Sequence, residues 1–95
     1  MAIARVFDAR WSAAQYDEVM AKVGERLRLA AGRSAPGVLF HWVAATDDGV
    51  RFVDVYESHH VADDLAQEHI TPIVAELGLP RPEIFEYVVR EMRTP

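Results

Sequence analysis

The chain has 95 residues, with ten basic and fifteen acidic side chains, a formal net charge of −5 and no cysteine. That length makes one domain over residues 1–95, and the missing thiols remove disulfides, thiolate metal sites and cysteine nucleophiles together. The arginines are scattered among acids rather than gathered into a stripe, which disfavours nucleic acid; no segment approaches a membrane span and no long apolar run follows a basic start, so the expected location is the cytoplasm.

Ile3–Asp8 (IARVFD) carries β-branched and aromatic residues and reads as the first strand. Ser12-Ala13-Ala14-Gln15 fits a capping box, and Tyr16, Val19, Met20, Val23 and Leu27 follow at helical spacing, predicting an amphipathic helix to about Leu29. Ala31–Gly37 is a loop closed by Pro36-Gly37. Val38–Ser58 is a β-hairpin. Placing Asp48-Gly49 as its two loop residues, where positive φ is wanted, pairs Asp47 with Val50, His41 with Tyr56 and Trp42 with Val55.

Ser58 is a plausible N-cap for a helical region from His59 to Leu77, with Asp63 and Asp64 in or near its first turn. Pro72 lacks an amide hydrogen and is expected to break or kink this region, with Thr71 recapping the remainder. Gly78 and Pro80 stop it, and Glu83–Met92 is the last strand.

The order is therefore β-α-β-β-α-β. Right-handed crossovers place both helices on one face of a four-stranded antiparallel sheet, the ferredoxin-like α+β arrangement. Alternation sorts the hairpin into two faces: Phe40, Trp42, Ala44, Val53 and Val55 on one, Leu39, His41, Val43, Phe52, Asp54 and Tyr56 on the other. A sheet face bearing Phe40, Trp42, Val53 and Val55 is too apolar to face water, so a homodimer paired through it is expected.

The second face carries the candidate chemistry. His41, Asp54 and Tyr56 lie within side-chain reach of one another, and His69 joins them if that face looks at the helices. With walls from Val43, Phe52, Val19 and Val23, such a space suits a planar, mostly apolar or aromatic ligand with one or two polar groups. In a catalytic reading His41 is the base, Asp54 sets its tautomer and Tyr56 orients a carbonyl or hydroxyl, while His69, Phe52 and Val43 contact substrate. The same groups also fit a non-catalytic binding pocket, or a buried polar network that satisfies only itself. His59, His60, Asp63 and Asp64 pair at i, i+4, two ligands per face, which does not make a closed zinc site; no metal is expected. The serines lack a nucleophile-elbow context, so hydrolase chemistry is not expected.

Gln15-Tyr16-Asp17, Phe40-His41, Asp48-Gly49, Asp54-Val55-Tyr56-Glu57-Ser58 and Glu76-Leu77-Gly78-Leu79-Pro80 together resemble the dimeric α/β-barrel superfamily. The resemblance covers nearly the whole chain and is strongest to antibiotic-biosynthesis-monooxygenase-like domains and their bacterial relatives. It implies two sheets closing into a barrel, with a ligand held in each subunit between sheet and helices. It further implies monooxygenase- or cyclase-like chemistry on an aromatic, polyketide-like ligand, without a cofactor. The family's acidic and aromatic pair near the end of strand three matches Asp54 and Tyr56; the position of its helix-two histidine holds Ala66, with His69 about one turn later.

Overall fold

The computed structural model describes residues 1–93. Four strands, β1 (Ile3–Ala9), β2 (Val38–Ala45), β3 (Val50–Tyr56) and β4 (Glu83–Val88), form an antiparallel sheet in the order β2-β3-β1-β4. Helix α1 (Ala13–Leu27) follows β1. A second helical stretch follows β3 and consists of α2 (His59–Leu65), a π-helical turn (Ala66–Ile70) and α3 (Thr71–Glu76). The βαββαβ order and the sheet are those expected of a ferredoxin-like fold.

Local chemistry explains where the helices start. The Ser12 hydroxyl accepts from the Gln15 amide at 3.1 Å and the Gln15 side chain accepts from the Ser12 amide at 2.8 Å, a complete capping box. Ser58 caps α2 in the same way, accepting from the Val61 amide. Helix α1 ends two residues earlier than its periodicity suggests. Arg28 adopts φ +53 there, and its amide and that of Leu29 bond back to the carbonyls of Glu25 and Gly24. This is a Schellman ending, normally supplied by glycine, and a side chain in that conformation costs about 1–2 kcal/mol. The same pattern closes α3, where Gly78 takes the position at φ +66.

Pro72 does not break the second helical stretch. The π turn widens the ring of atoms so that the Thr71 amide bonds to the Ala66 carbonyl five residues back. This accommodates a residue that has no amide hydrogen and whose ring would crowd a normal turn. Thr71 consequently makes no side-chain cap. The last strand ends at Val88 rather than Met92.

The β2–β3 register differs from expectation by two residues. Thr46 and Gly49 close the hairpin through a 2.9 Å bond, Asp47-Asp48 form its tip, and His41 lies opposite Asp54 and Trp42 opposite Val53. Gly49 serves close approach rather than positive φ: a Cβ there would sit 2.1 Å from the Ala9 carbonyl oxygen. A slip of two keeps each side chain on its face, so the two-sided reading survives with new partners. A bulge between Val38 and Phe40 changes one assignment. Val38 pairs with Tyr56 and lies on the helix side, whereas Leu39 is the extra, half-exposed residue.

Phe7, Phe52, Tyr16, Val19, Val23, Ile73 and Val74 fill the space between sheet and helices, with Phe7 and Phe52 stacked at 4.5 Å. Trp11 is buried with its indole nitrogen donating to the Pro80 carbonyl at 2.7 Å. Arg5 is buried as well. It is held by Asp63 at 2.6 Å and Glu86 at 2.9 Å, tying α2 to β1 and β4. Asp63 is thus engaged by Arg5, which holds its carboxyl below the ordinary range, more than by the helix terminus.

The other sheet face is bare. Phe40, Trp42, Phe85 and Tyr87 are 56, 42, 39 and 57 % exposed, with Val53 half-buried among them. Val55 departs from expectation: at 7 % exposed it is already covered by its neighbours on the central strand. Phe85 and Tyr87 of β4 extend the patch instead.

Replacing Gly49 by alanine forces the β1 end away from the hairpin, since the clash is with backbone that cannot rotate aside. Thermal or chemical denaturation is expected to show a loss of about 2 kcal/mol or more. An unchanged midpoint would mean that the two backbones are not in contact.

Candidate functional site

Strands β2 and β3 put His41 and Asp54 directly across from each other on the helix side of the sheet. His41 Nδ1 bonds to one oxygen of Asp54, and the Tyr56 hydroxyl donates to the other at 2.9 Å. Helix α1 supplies a fourth member: the Tyr16 hydroxyl lies 2.6 Å from His41 Nε2. Assigning the imidazole proton to Nδ1, beside the carboxylate, makes Nε2 the acceptor for Tyr16. The result is a continuous chain Tyr16–His41–Asp54–Tyr56, in which both carboxylate oxygens and both ring nitrogens have partners.

Tyr16 is buried, and burial rises again from His41 to Tyr56. His41 keeps about a quarter of its side chain exposed (28 %), Asp54 keeps 8 %, and Tyr56 is fully enclosed. Burial, followed by the charges of Asp54 and Asp17, pushes the Tyr16 phenol up to about 12. Burial and then the Asp54 charge raise Tyr56 further. Both phenols therefore remain hydrogen-bond donors across the physiological range.

An open cavity of about 680 Å³ adjoins this chain. Tyr16, His41 and Asp54 form its polar wall; Met20, Val23, Val38, Leu65 and Ile70 contribute apolar wall. The space exists because its α1 and loop walls are built from small residues, Ala21, Gly24, Ala30, Ala31, Gly32 and Ala35. Gly24 is informative: it lies inside α1, and a Cβ built on it would meet nothing within 4 Å. Glycine costs a helix about 1 kcal/mol relative to alanine, and no packed neighbour here requires it.

Of the residues singled out by sequence, His41, Asp54 and Tyr56 come together, with His41 and Asp54 reaching the cavity and Tyr56 supporting Asp54 from behind. Phe52 lies in the core against Phe7, and Val43 is half-exposed on the edge strand; neither lines the cavity. His69 does not line it either. Its Nδ1 is buried without a hydrogen-bond partner, and its Nε2 is 3.9 Å from Glu68. His59 and His60 pair with Asp63 and Asp64 across one turn. No group of three or more His, Asp or Glu among the described residues could hold a metal ion.

Sequence marks Tyr16 as a core residue at helical spacing and as part of the Gln15-Tyr16-Asp17 motif, without a role at the site. Its signal is that a buried tyrosine hydroxyl needs a partner, and His41 offers the free nitrogen. The loop from Arg28 to Gly37 showed only its Ala and Gly content.

Solved structures share this architecture. A structure described as a putative antibiotic biosynthesis monooxygenase from Chloroflexus aurantiacus matches at TM-score 0.65 and 20 % identity, over 99 % of this chain and 98 % of that one. SnoaB, a cofactor-independent oxygenase from Streptomyces nogalater, matches at TM-score 0.59 and 19 % identity, over 96 % and 93 %. A putative antibiotic biosynthesis monooxygenase from Deinococcus radiodurans matches at TM-score 0.54 and 17 % identity, over 100 % and 98 %. No protein-family model matches the chain, and no curated protein matches its sequence. The chain has the ferredoxin-like α+β fold of the antibiotic-biosynthesis-monooxygenase-like proteins.

The raised Tyr16 pKa has a stability consequence. The folded state disfavours the phenolate, so this contribution is complete below the ordinary value of 10.0 and is lost as pH rises from there through about 12. Absorbance titration of phenolate formation is expected to show a step near 12 that Tyr16→Phe removes. A Tyr16→Phe variant with an unaltered titration curve would contradict the burial of the Tyr16 hydroxyl beside Asp54.

Proposed function

We propose that this protein is a cytoplasmic, homodimeric small-molecule-binding protein whose cavity takes a planar, mostly apolar aromatic ligand, with cofactor-independent monooxygenase- or cyclase-like chemistry at His41. The observation that carries this reading is the cavity itself, apolar over most of its wall and bounded on one side by Tyr16, His41 and Asp54. Few polar groups in an otherwise apolar concavity fix a ligand's orientation. The Gly24 vacancy in α1 supports an occupant of the space.

The polar chain works as a proton relay. Asp54 holds the Nδ1 proton of His41, leaving Nε2 basic, and Tyr56 holds Asp54. A ligand hydroxyl that reaches the Tyr16 oxygen passes its proton there as the Tyr16 proton moves to Nε2, and the imidazolium formed is stabilised by Asp54. For a methylene carbon activated by an aromatic ketone, proton loss to the Tyr16 oxygen, as the Tyr16 proton moves to His41 Nε2, gives a carbanion whose electrons reduce dioxygen. The resulting peroxide anion takes that proton back from the imidazolium through Tyr16, and the hydroperoxide so formed loses water, so CH₂ and O₂ become C=O and H₂O with no external reductant. In a cyclase-like reaction the same base forms an enolate that attacks a carbonyl within the ligand. Phe52 backs Tyr16 from the core, with ring centroids 5.5 Å apart.

The bare sheet face is the dimer interface in this reading. Phe40, Trp42, Phe85 and Tyr87 stand exposed together, and each such side chain contributes about 1.5–3 kcal/mol when fully buried. A second copy presenting the same face covers them symmetrically and leaves the helix-side cavity open.

Calorimetry with anthracene-9-methanol, a neutral planar probe, tests the cavity. Wild-type protein is expected to bind it, and Gly24→Phe to abolish binding while folding normally; unchanged binding by Gly24→Phe would refute the location. Oxygen uptake with anthrone tests the chemistry. His41→Ala is expected to lower the rate by about 100-fold or more at an unchanged oligomeric state. Absence of wild-type uptake despite probe binding would leave a binding protein. Light scattering is expected to give two chains per particle for wild type and one for Trp42→Glu; a Trp42→Glu dimer would dismiss the sheet-face interface.

A further inference from the structure

The rim of the cavity carries charge that the polar chain inside does not explain. Arg28 and Arg33 both line it, on the segment between α1 and β2. In this acidic chain, Arg5, Arg51 and Arg93 are each engaged by carboxylates, and Arg26 donates to the Glu68 carbonyl. Arg28 and Arg33 have no side-chain partner among the described residues. The one carboxylate sharing the rim, Glu25, pairs with neither. With Asp54 engaged inside by His41 and Tyr56, the two cations share the outer wall with Glu25 alone, in a molecule whose net charge is −5.

The backbone beneath these two side chains is fixed. Arg28 occupies the left-handed position of a Schellman ending, the place that Gly78 fills in the identical ending of α3. Helix termination alone is served better by glycine, so an arginine held in that conformation calls for a reason in its side chain. Arg33 closes a β-turn, its amide bonded to the Ala30 carbonyl at 3.0 Å with Gly32 at φ +77 in the third position. A second turn follows at once, with the Val38 amide on the Ala35 carbonyl and Gly37 at φ +85. The lip is a Schellman ending followed by two hydrogen-bonded turns rather than a loose tether, which fixes the backbone from which Arg28 and Arg33 project.

Resting on the cavity reading above, we infer that the ligand is an anion: an aromatic or similarly apolar body that carries a carboxylate, its body against the small-residue wall and its charge at the mouth between Arg28 and Arg33. The guanidinium fork matches a carboxylate with two parallel N–H donors. The ligand therefore meets the protein at two polar points, a hydroxyl or carbonyl at Tyr16–His41 inside and an anionic group at the rim. This also sets its direction of entry, since the apolar end must pass the arginines first.

Calorimetric titration with a matched pair of probes tests the assignment: anthracene-9-carboxylate and the neutral anthracene-9-methanol. Wild-type protein is expected to bind the carboxylate about ten-fold more tightly than the alcohol. In the Arg28→Gln/Arg33→Gln double variant that preference is expected to vanish, with alcohol affinity within about two-fold of wild type. The Arg28→Lys/Arg33→Lys variant is expected to retain part of it, and added salt to weaken only the carboxylate. Equal wild-type affinity for both probes, or a double variant that loses both equally, overturns the anion assignment while leaving the cavity intact. Binding of neither probe overturns the cavity reading and this inference with it. Circular dichroism of each variant separates these outcomes from misfolding.

Discussion

Asp54 places a nearly buried carboxylate on a central strand, between Phe52 and Tyr56 along β3 and between His41 and Arg5 across the sheet. Burying such a group is costly unless each oxygen finds a donor. His41 and Tyr56 supply those donors, one from across the hairpin and one from two residues along the same strand. Much else in the molecule follows from meeting that requirement. His41 must stand opposite Asp54, which demands the observed register; its second nitrogen then points toward α1 and takes the Tyr16 hydroxyl.

The same requirement organises the hairpin. An Asp-Gly tip would have set His41 opposite Tyr56 and given the carboxylate only a diagonal partner. The observed tip, Asp47-Asp48, moves the pairing by two and releases Gly49 for a different duty, passing the end of β1 at a distance no side chain permits. Turn preference is worth little against a buried charge and a backbone contact, and here it yields to both. The bulge at Leu39 is a second local departure, and it turns Val38 rather than Leu39 toward the cavity.

Two surfaces of one sheet thus divide the work. The helix side is filled by stacked aromatics near β1 and left open near the end of α1, where alanine and glycine replace larger residues. The far side has no cover among the described residues, and its exposed aromatics are supplied jointly by β2 and β4. Arg5, clasped by Asp63 and Glu86, keeps the second helical stretch seated on β1 and β4. The polar chain is thereby held between the sheet and α1, with the lip of turns as its outer boundary.

Sequence alone determined the element order, the capped helix starts, the two faces of the hairpin and the association of His41 with Asp54 and Tyr56. These are local or period-two properties, and a register slip of two leaves them unchanged. It could not determine which residues sit opposite one another, because pairing is chosen by contacts between distant segments such as Gly49 with Ala9. Pro72 shows the same limit: its missing amide was visible, but the π turn that absorbs it was not. Tyr16 and the rim arginines acquired meaning only when α1 was laid on the sheet, since the partner of a buried hydroxyl and the mouth of a cavity are relations between elements. The tertiary structure alone decided those relations, because packing and the satisfaction of buried polar groups act across the chain rather than along it.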